Sequence, residues 1–249
     1  MIFDICVEKG SELPKGDSGR KFKGRVVFQG NNVQDENWNA ALFQELGSSP
    51  ATMDAGKACD AYGLAPGHAV QQADAEQAYI QSKLGGETPT WVRLPAERRP
   101  ESWKKFRDPV CPLILALYGH PDSGGYWERH CHEHLTQHGF KEITAWRSCY
   151  MHEKLQLVLV VYVDDFKLAG PVKNLDKGWQ LIRQRVRTED PTPLGKYLGC
   201  THVETSRVVD MSSPQFAPFA WPVPLPERPG SSAPAASARG DGAEGVKPR

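Results

Sequence analysis

The stretch Val158-Leu-Val-Val-Tyr162-Val-Asp164-Asp165-Phe-Lys-Leu168 constrains the chain more than any other. From 155 to 163 it is apolar and rich in β-branched and aromatic residues, which reads as a buried strand. Two adjacent carboxylates interrupt that strand and the apolar pattern then resumes, so a hairpin is predicted with its tip at Asp164 and Asp165. Asp accepts the backbone conformations of tight turns, and an Asp-Asp tip is by itself an ordinary structural solution. Two like charges beside a buried strand nevertheless repel and lose hydration unless a cation neutralises them. A divalent metal would do so.

The surroundings predict a mixed α+β domain. Residues 24 to 30 (GRVVFQG) read as a second buried strand. A helix is predicted from about Ser49, where Ser-Pro offers an N-cap and a first-turn proline, to about Tyr62, with Gly63 as its stop and Met53, Ala58 and Tyr62 roughly on one face. A second is predicted from about Gly125 to His138, since Trp127, Cys131 and Leu135 recur every four residues before Gly139. A third, near Asp176 to Arg187, carries Trp179, Ile182 and Val186. From about Met211 to Arg249 the chain is dominated by Pro, Ala, Ser and Gly, a composition that predicts a disordered tail. The expected division is residues 1 to 205 as the folded domain and 206 to 249 as the tail.

Charge and cysteine usage narrow the function classes. The 30 basic and 30 acidic side chains cancel, so any nucleic-acid contact must come from local patches. One such patch is Arg93, Arg98, Arg99, Lys104, Lys105 and Arg107, interleaved with Trp91 and Trp103. Glu97, Glu101 and Asp108 dilute it, and a solvated loop is the plain alternative. The six cysteines form no CxxC pair, which argues against a zinc ribbon or a disulfide scaffold. No apolar run approaches the ~20 residues of a membrane span. The chain is therefore expected to be soluble and intracellular, in cytoplasm or nucleus. His130, His134 and His138 fall on one helical face at i, i+4 spacing, but no other Cys or His cluster completes a tetrahedral zinc site. A nucleophile elbow of the GxSxG kind is absent.

Seven segments, in order, resemble the reverse transcriptase domain of copia-type retrotransposons. Lys23-Gly-Arg25-Val-Val-Phe-Gln-Gly30 is similar to the family's KARLVAQG, and Gln72-Ala-Asp74-Ala-Glu-Gln-Ala78-Tyr79 to its QMDVKTAF. Trp91-Val-Arg-Leu-Pro95 resembles the segment that follows, and Leu117-Tyr118-Gly119 with Trp127 resembles LYGLKQAPRAW. Gly139-Phe140 matches the family's GF, Tyr162-Val-Asp-Asp165 its YVDD, and Leu194-Gly-Lys-Tyr197-Leu-Gly199 its LGELKYFLG. His120 to Gly125 depart from LKQAPR and remove a lysine and an arginine.

The resemblance implies a palm and fingers fold, an antiparallel palm sheet backed by helices. It implies an RNA-directed DNA polymerase that works on an RNA or DNA template with primer and on dNTPs. It supplies Asp74 as the third carboxylate, so that Asp74, Asp164 and Asp165 would hold two Mg²⁺ or Mn²⁺ ions, hard cations suited to carboxylate and phosphate oxygens. Lys23 and Arg25 alternate with apolar residues and would face the triphosphate, although solvated strand charges are the plain reading. Tyr79 would wall the sugar as a steric gate, with a core tyrosine as the alternative. Tyr118 and Gly119 would complete the nucleotide site. The tail begins soon after Leu198-Gly199, so a thumb is expected to be absent or truncated, with other Pol domains supplied elsewhere. The alternative function is a non-catalytic retrotransposon-derived fragment that binds nucleic acid or another partner.

Overall fold

The computed structural model describes residues 1–35, 37–41, 43, 48–86 and 88–203. The tail expected after residue 205 lies outside the described residues. In chain order the elements are β1 (Ile2–Lys9), β2 (Lys21–Phe28), α1 (Met53–Gly63), β3 (His68–Asp74), a 3-10 turn at Ala78–Gln81, β4 (Trp91–Val92) and β5 (Cys111–Pro112). Then follow α2 (Ser123–Gln137), β6 (Lys141–Ile143), β7 (Trp146–His152), β8 (Leu157–Tyr162), β9 (Asp165–Pro171), α3 (Val172–Arg183), β10 (Thr192–Pro193), β11 (Lys196–Tyr197) and β12 (Cys200–Thr201).

A six-stranded sheet in the order β10-β3-β9-β8-β7-β6, antiparallel throughout, organises the chain. β8 is buried on both faces, which explains its unbroken apolar run. Leu157, Leu159 and Val161, with Phe166 and Leu168 of β9, meet Trp127 and Leu135 of α2 and Leu175, Trp179 and Ile182 of α3. The alternate residues Val158, Val160 and Ala169 meet Ala55 and Cys59 of α1. Each large apolar side chain so buried stabilises the fold by about 1.5–3 kcal/mol relative to exposure.

Three helices form where three were predicted, with shifted details. α1 starts at Met53, because Thr52 rather than Ser49 is the N-cap and its Oγ1 accepts from the Ala55 N–H at 3.2 Å. Its buried face is Ala55, Gly56, Cys59 and Gly63, whereas Met53 is exposed. Small residues let this helix lie close to the sheet: a Cβ on Gly63 would stand 2.0 Å from Val70 Cγ2. α2 ends as expected, with Gly139 at φ +86° after it. α3 begins four residues before the predicted start, because β9 runs directly through Pro171 into the helix.

β2 is the clearest departure. The segment is a strand, but only Phe28 is buried, since β2 pairs with β1 alone and, among the described residues, no helix or second sheet packs over the ribbon. Phe22 is 76% exposed. β-Branched content marked the strand correctly and said nothing about what would lie on it. All six cysteines are free thiols, and no helix among the described residues is long and apolar enough to cross a membrane.

Candidate active site

β3 and β9 pair in a register that sets Asp74 directly opposite Asp165, and β8 and β9 pair so that Tyr162 also faces Asp165. Opposed residues in an antiparallel pair point to the same face, so Asp74 and Asp165 lie together on the face that carries Lys167 and Ala169. Val163 and Asp164 form the turn. Val163 has φ +56°, a left-handed conformation that costs a β-branched residue about 1–3 kcal/mol and persists only where neighbours hold it. Two neighbours do so: the Trp127 indole N–H donates to the Val163 carbonyl at 2.6 Å, and the Ala75 N–H donates to the Asp164 carbonyl at 2.6 Å. The clamp from Ala75 also ties the Asp164 turn to the residue that follows Asp74.

The electrostatics follow from this proximity. Burial, then the charges of Asp74 and Asp164, and a hydrogen bond to Asp74 push the Asp165 carboxyl up to about 6. The structure thus brings together all three carboxylates singled out in the sequence, and Asp74 and Asp164 both destabilise the ionised form of Asp165. Among the described residues no group of three or more His, Cys, Asp or Glu side chains is placed so that it could hold a metal ion. The donor set nonetheless suits a hard divalent ion, being all carboxylate oxygen, and the mutual repulsion is what such an ion relieves.

The nucleotide-site candidates surround this cluster. Burial lowers the Lys23 ammonium pKa, as do the charges of Lys9 and Arg25, while Asp164 and Asp74 act in the opposite sense, which puts Lys23 within electrostatic reach of both. Lys23 and Arg25 share one face of the ribbon, opposite Val7 and Ile5. The Arg25 guanidinium stands 5.3 Å from the centre of the Tyr118 ring. Tyr118 in turn packs on Tyr79, ring centres 4.7 Å apart. Burial raises both phenols, and the charge of Asp164 adds to the effect. Tyr79 is half-buried in the 3-10 turn Ala78–Gln81 and also packs against the core cluster that holds Trp127 and Phe166.

Gly119 is there for close approach. At φ +86°, a Cβ on it would stand 2.1 Å from the Phe28 carbonyl oxygen, and the Phe28 N–H donates to the Tyr118 carbonyl at 2.6 Å. The ribbon is thereby fastened beside the tyrosines.

Two roles escaped the sequence reading. Periodicity and the motif place Trp127 on a helix face without a role for its indole, yet its N–H holds the turn. A buried Trp must place that donor somewhere, which was the available signal. His120 to Gly125 stood out only for missing cations, yet His120 is buried, with Thr90 Oγ1 3.2 Å from its Nε2 and the Phe28 ring 5.0 Å away. The helix histidines are engaged with α3: His134 Nε2 lies 2.9 Å from the carbonyls of Leu181 and Ile182, in the last turn of that helix, and His138 Nε2 lies 2.7 Å from Gln184 Oε1. His134 thereby serves the Leu181 carbonyl near the helix end, where carbonyls lack intrahelical partners.

The antiparallel sheet thus brings Asp74, Asp164 and Asp165 together at one end of its central strands, with Lys23 and the stacked Tyr79 and Tyr118 in electrostatic reach of Asp164. The profile of the reverse transcriptase (RNA-dependent DNA polymerase) family matches residues 13–218, and the chain belongs to that family. Among curated proteins none matches it.

Proposed function

We propose that the chain is the RNA-directed DNA polymerase domain of a copia-type element, with the six-stranded sheet as palm and the β1–β2 ribbon among the fingers, within a unit of residues 1–205. The observation that carries this reading is the register that sets Asp74 against Asp165, with Asp164 fastened beside them. Asp74, Asp164 and Asp165 would hold two Mg²⁺ or Mn²⁺ ions. When bound, such ions neutralise charge on the attacking 3′ oxygen and the leaving pyrophosphate. Lys23 and Arg25 bind the triphosphate. Tyr79, braced by Tyr118, occupies the space a 2′-hydroxyl would need, so ribonucleotides are refused by shape. Primer, RNA or DNA template and dNTPs are the partners.

The test is primer extension on a primed RNA template with Mg²⁺ or Mn²⁺. Wild type extends the primer, and Asp164→Asn loses about a thousandfold in rate, since metal charge stabilisation is worth several kcal/mol. Equal rates in the two proteins would refute the site. The missing cations at His120 to Gly125 favour a second reading, a nucleic-acid-binding chain without polymerase activity. Template binding without extension under both metals would select it.

A further inference from the structure

The segment from β4 to β5 takes no part in the site described above. Between Trp91 and Pro112 it holds six basic residues against three acidic ones, a net +3 in a chain whose total is zero. It is nearly coreless: only Val92 is buried, while Trp91 is 57% and Phe106 55% exposed. Three cations are already paired, Arg93 with Asp108, Lys104 with Glu101, and Arg98 with Asp4 of β1. The other three are Arg99, whose Nε–H donates to the Leu94 carbonyl, Lys105, which lies over the Phe106 ring at 5.2 Å, and Arg107. Among the described residues Lys105 and Arg107 have no ion pair. Trp103, Phe106 and Arg107, with Asp108, Pro109 and Val110, line an open cavity of about 460 Å³.

We propose that this lobe is a second nucleic-acid contact, one that stacks an unpaired base on Trp103 and Phe106 while Arg107 and Lys105 hold the adjoining phosphates of a single strand. Three features select that occupant. An exposed ring, Phe106, and a half-buried one, Trp103, lie beside cations without ion pairs, the combination that holds single strands without reading their sequence. The cavity is of small-ligand size, and only an unstacked base offers a free ring to fill it. The local charge is opposite to a phosphate chain, while the molecule as a whole exerts no net attraction. The inference goes beyond nucleotidyl transfer, because binding here needs neither metal nor dNTP.

The experiment is fluorescence anisotropy of a labelled single-stranded oligonucleotide titrated with the full chain in EDTA, without nucleotides. Phe106→Ala weakens binding about tenfold, the loss of one stacked base. Arg107→Ala weakens it as well and flattens the slope of log affinity against log salt by about 0.7. Glu97→Gln, at an exposed acid without an ion pair among the described residues, tightens it. These opposite signs cannot come from a loss of fold, and all three variants keep the wild-type melting temperature. Absence of oligonucleotide binding, equal affinity in Phe106→Ala, or Glu97→Gln and Arg107→Ala shifting in the same direction would each overturn the proposal. So would equal binding of polyglutamate, which would mark a mere anion patch.

Discussion

The two hairpins that meet at the candidate site are built on opposite plans. β8–β9 is enclosed by helices on both faces, and its strained turn is clamped through its carbonyls by Trp127 and Ala75. β1–β2 pairs only with itself, exposes apolar side chains on both faces, and is fastened at one end through Phe28, Tyr118 and Gly119. Groups that must hold a repulsive geometry sit where the core can enforce it, at a cost in strain and desolvation. In the proposed reaction, the groups that would meet a flexible, hydrated triphosphate sit on the ribbon that the core does not enclose.

The largest effect that would break this contrast is expected at the junction of the two hairpins. Tyr79→Val should raise ribonucleotide use relative to deoxyribonucleotide use by about a hundredfold, as a rigid wall against one hydroxyl is worth a few kcal/mol. The ratio of dNTP to rNTP incorporation efficiency measures it. An unchanged ratio with both rates reduced makes Tyr79 a packing residue.

Next come paired substitutions, one per hairpin. Trp127→Phe strands the Val163 carbonyl and should cost about 1–3 kcal/mol of stability in denaturant unfolding, with loss of kcat. Lys23→Ala should change stability by less than about 0.5 kcal/mol and raise KM for dNTP about tenfold. Should Lys23→Ala unfold the protein as readily as Trp127→Phe, the ribbon is structural after all.

The smallest effect is the dependence of stability on pH without metal. Folding keeps the proton on Asp165 up to about 6 against an ordinary value of 3.8, so the folded state binds more protons in between. This contribution is fully present below about pH 4 and is lost as pH rises through about 6. Asp165→Asn should flatten that part of the melting curve series. Mg²⁺ should raise the wild-type melting temperature more at about pH 7.5 than at about pH 5, because only the ionised cluster binds it well. Equal stabilisation at both pH values would separate the ion from these carboxylates.

The enclosed hairpin was legible in the sequence because burial on two faces leaves an unbroken apolar run, and the pair of charges inside it marked the turn to within one residue: Val163 and Asp164 form it, while Asp165 opens β9. The ribbon was half legible. β1 was missed because Asp4 and Glu8 alternate with apolar residues in a strand that no core selects. α1 misled for a different reason: its apolar period pointed to Met53, but the sheet approaches the small residues Ala55, Gly56 and Gly63. The carboxylates and tyrosines that gather at the site came from matched motifs, since residues 74, 79, 118 and 164 are far apart in the chain and spacing alone cannot join them. Trp127's role lay in a hydrogen bond, which periodicity does not record.

The pairing of Asp74 with Asp165 has a consequence for how this coding sequence can vary. Side chains in a strand alternate with period two, so loss or gain of one codon within β3 slips the strand and sends the residue now facing Asp165 to the opposite side of the sheet. Ala73, which lies with Phe166 in the apolar cluster against α2 and α3, marks where the carboxylate would then be driven. Conservative missense changes along residues 68 to 73 are therefore survivable for the site, whereas an in-frame single-codon deletion there is as damaging as removing the carboxylate itself.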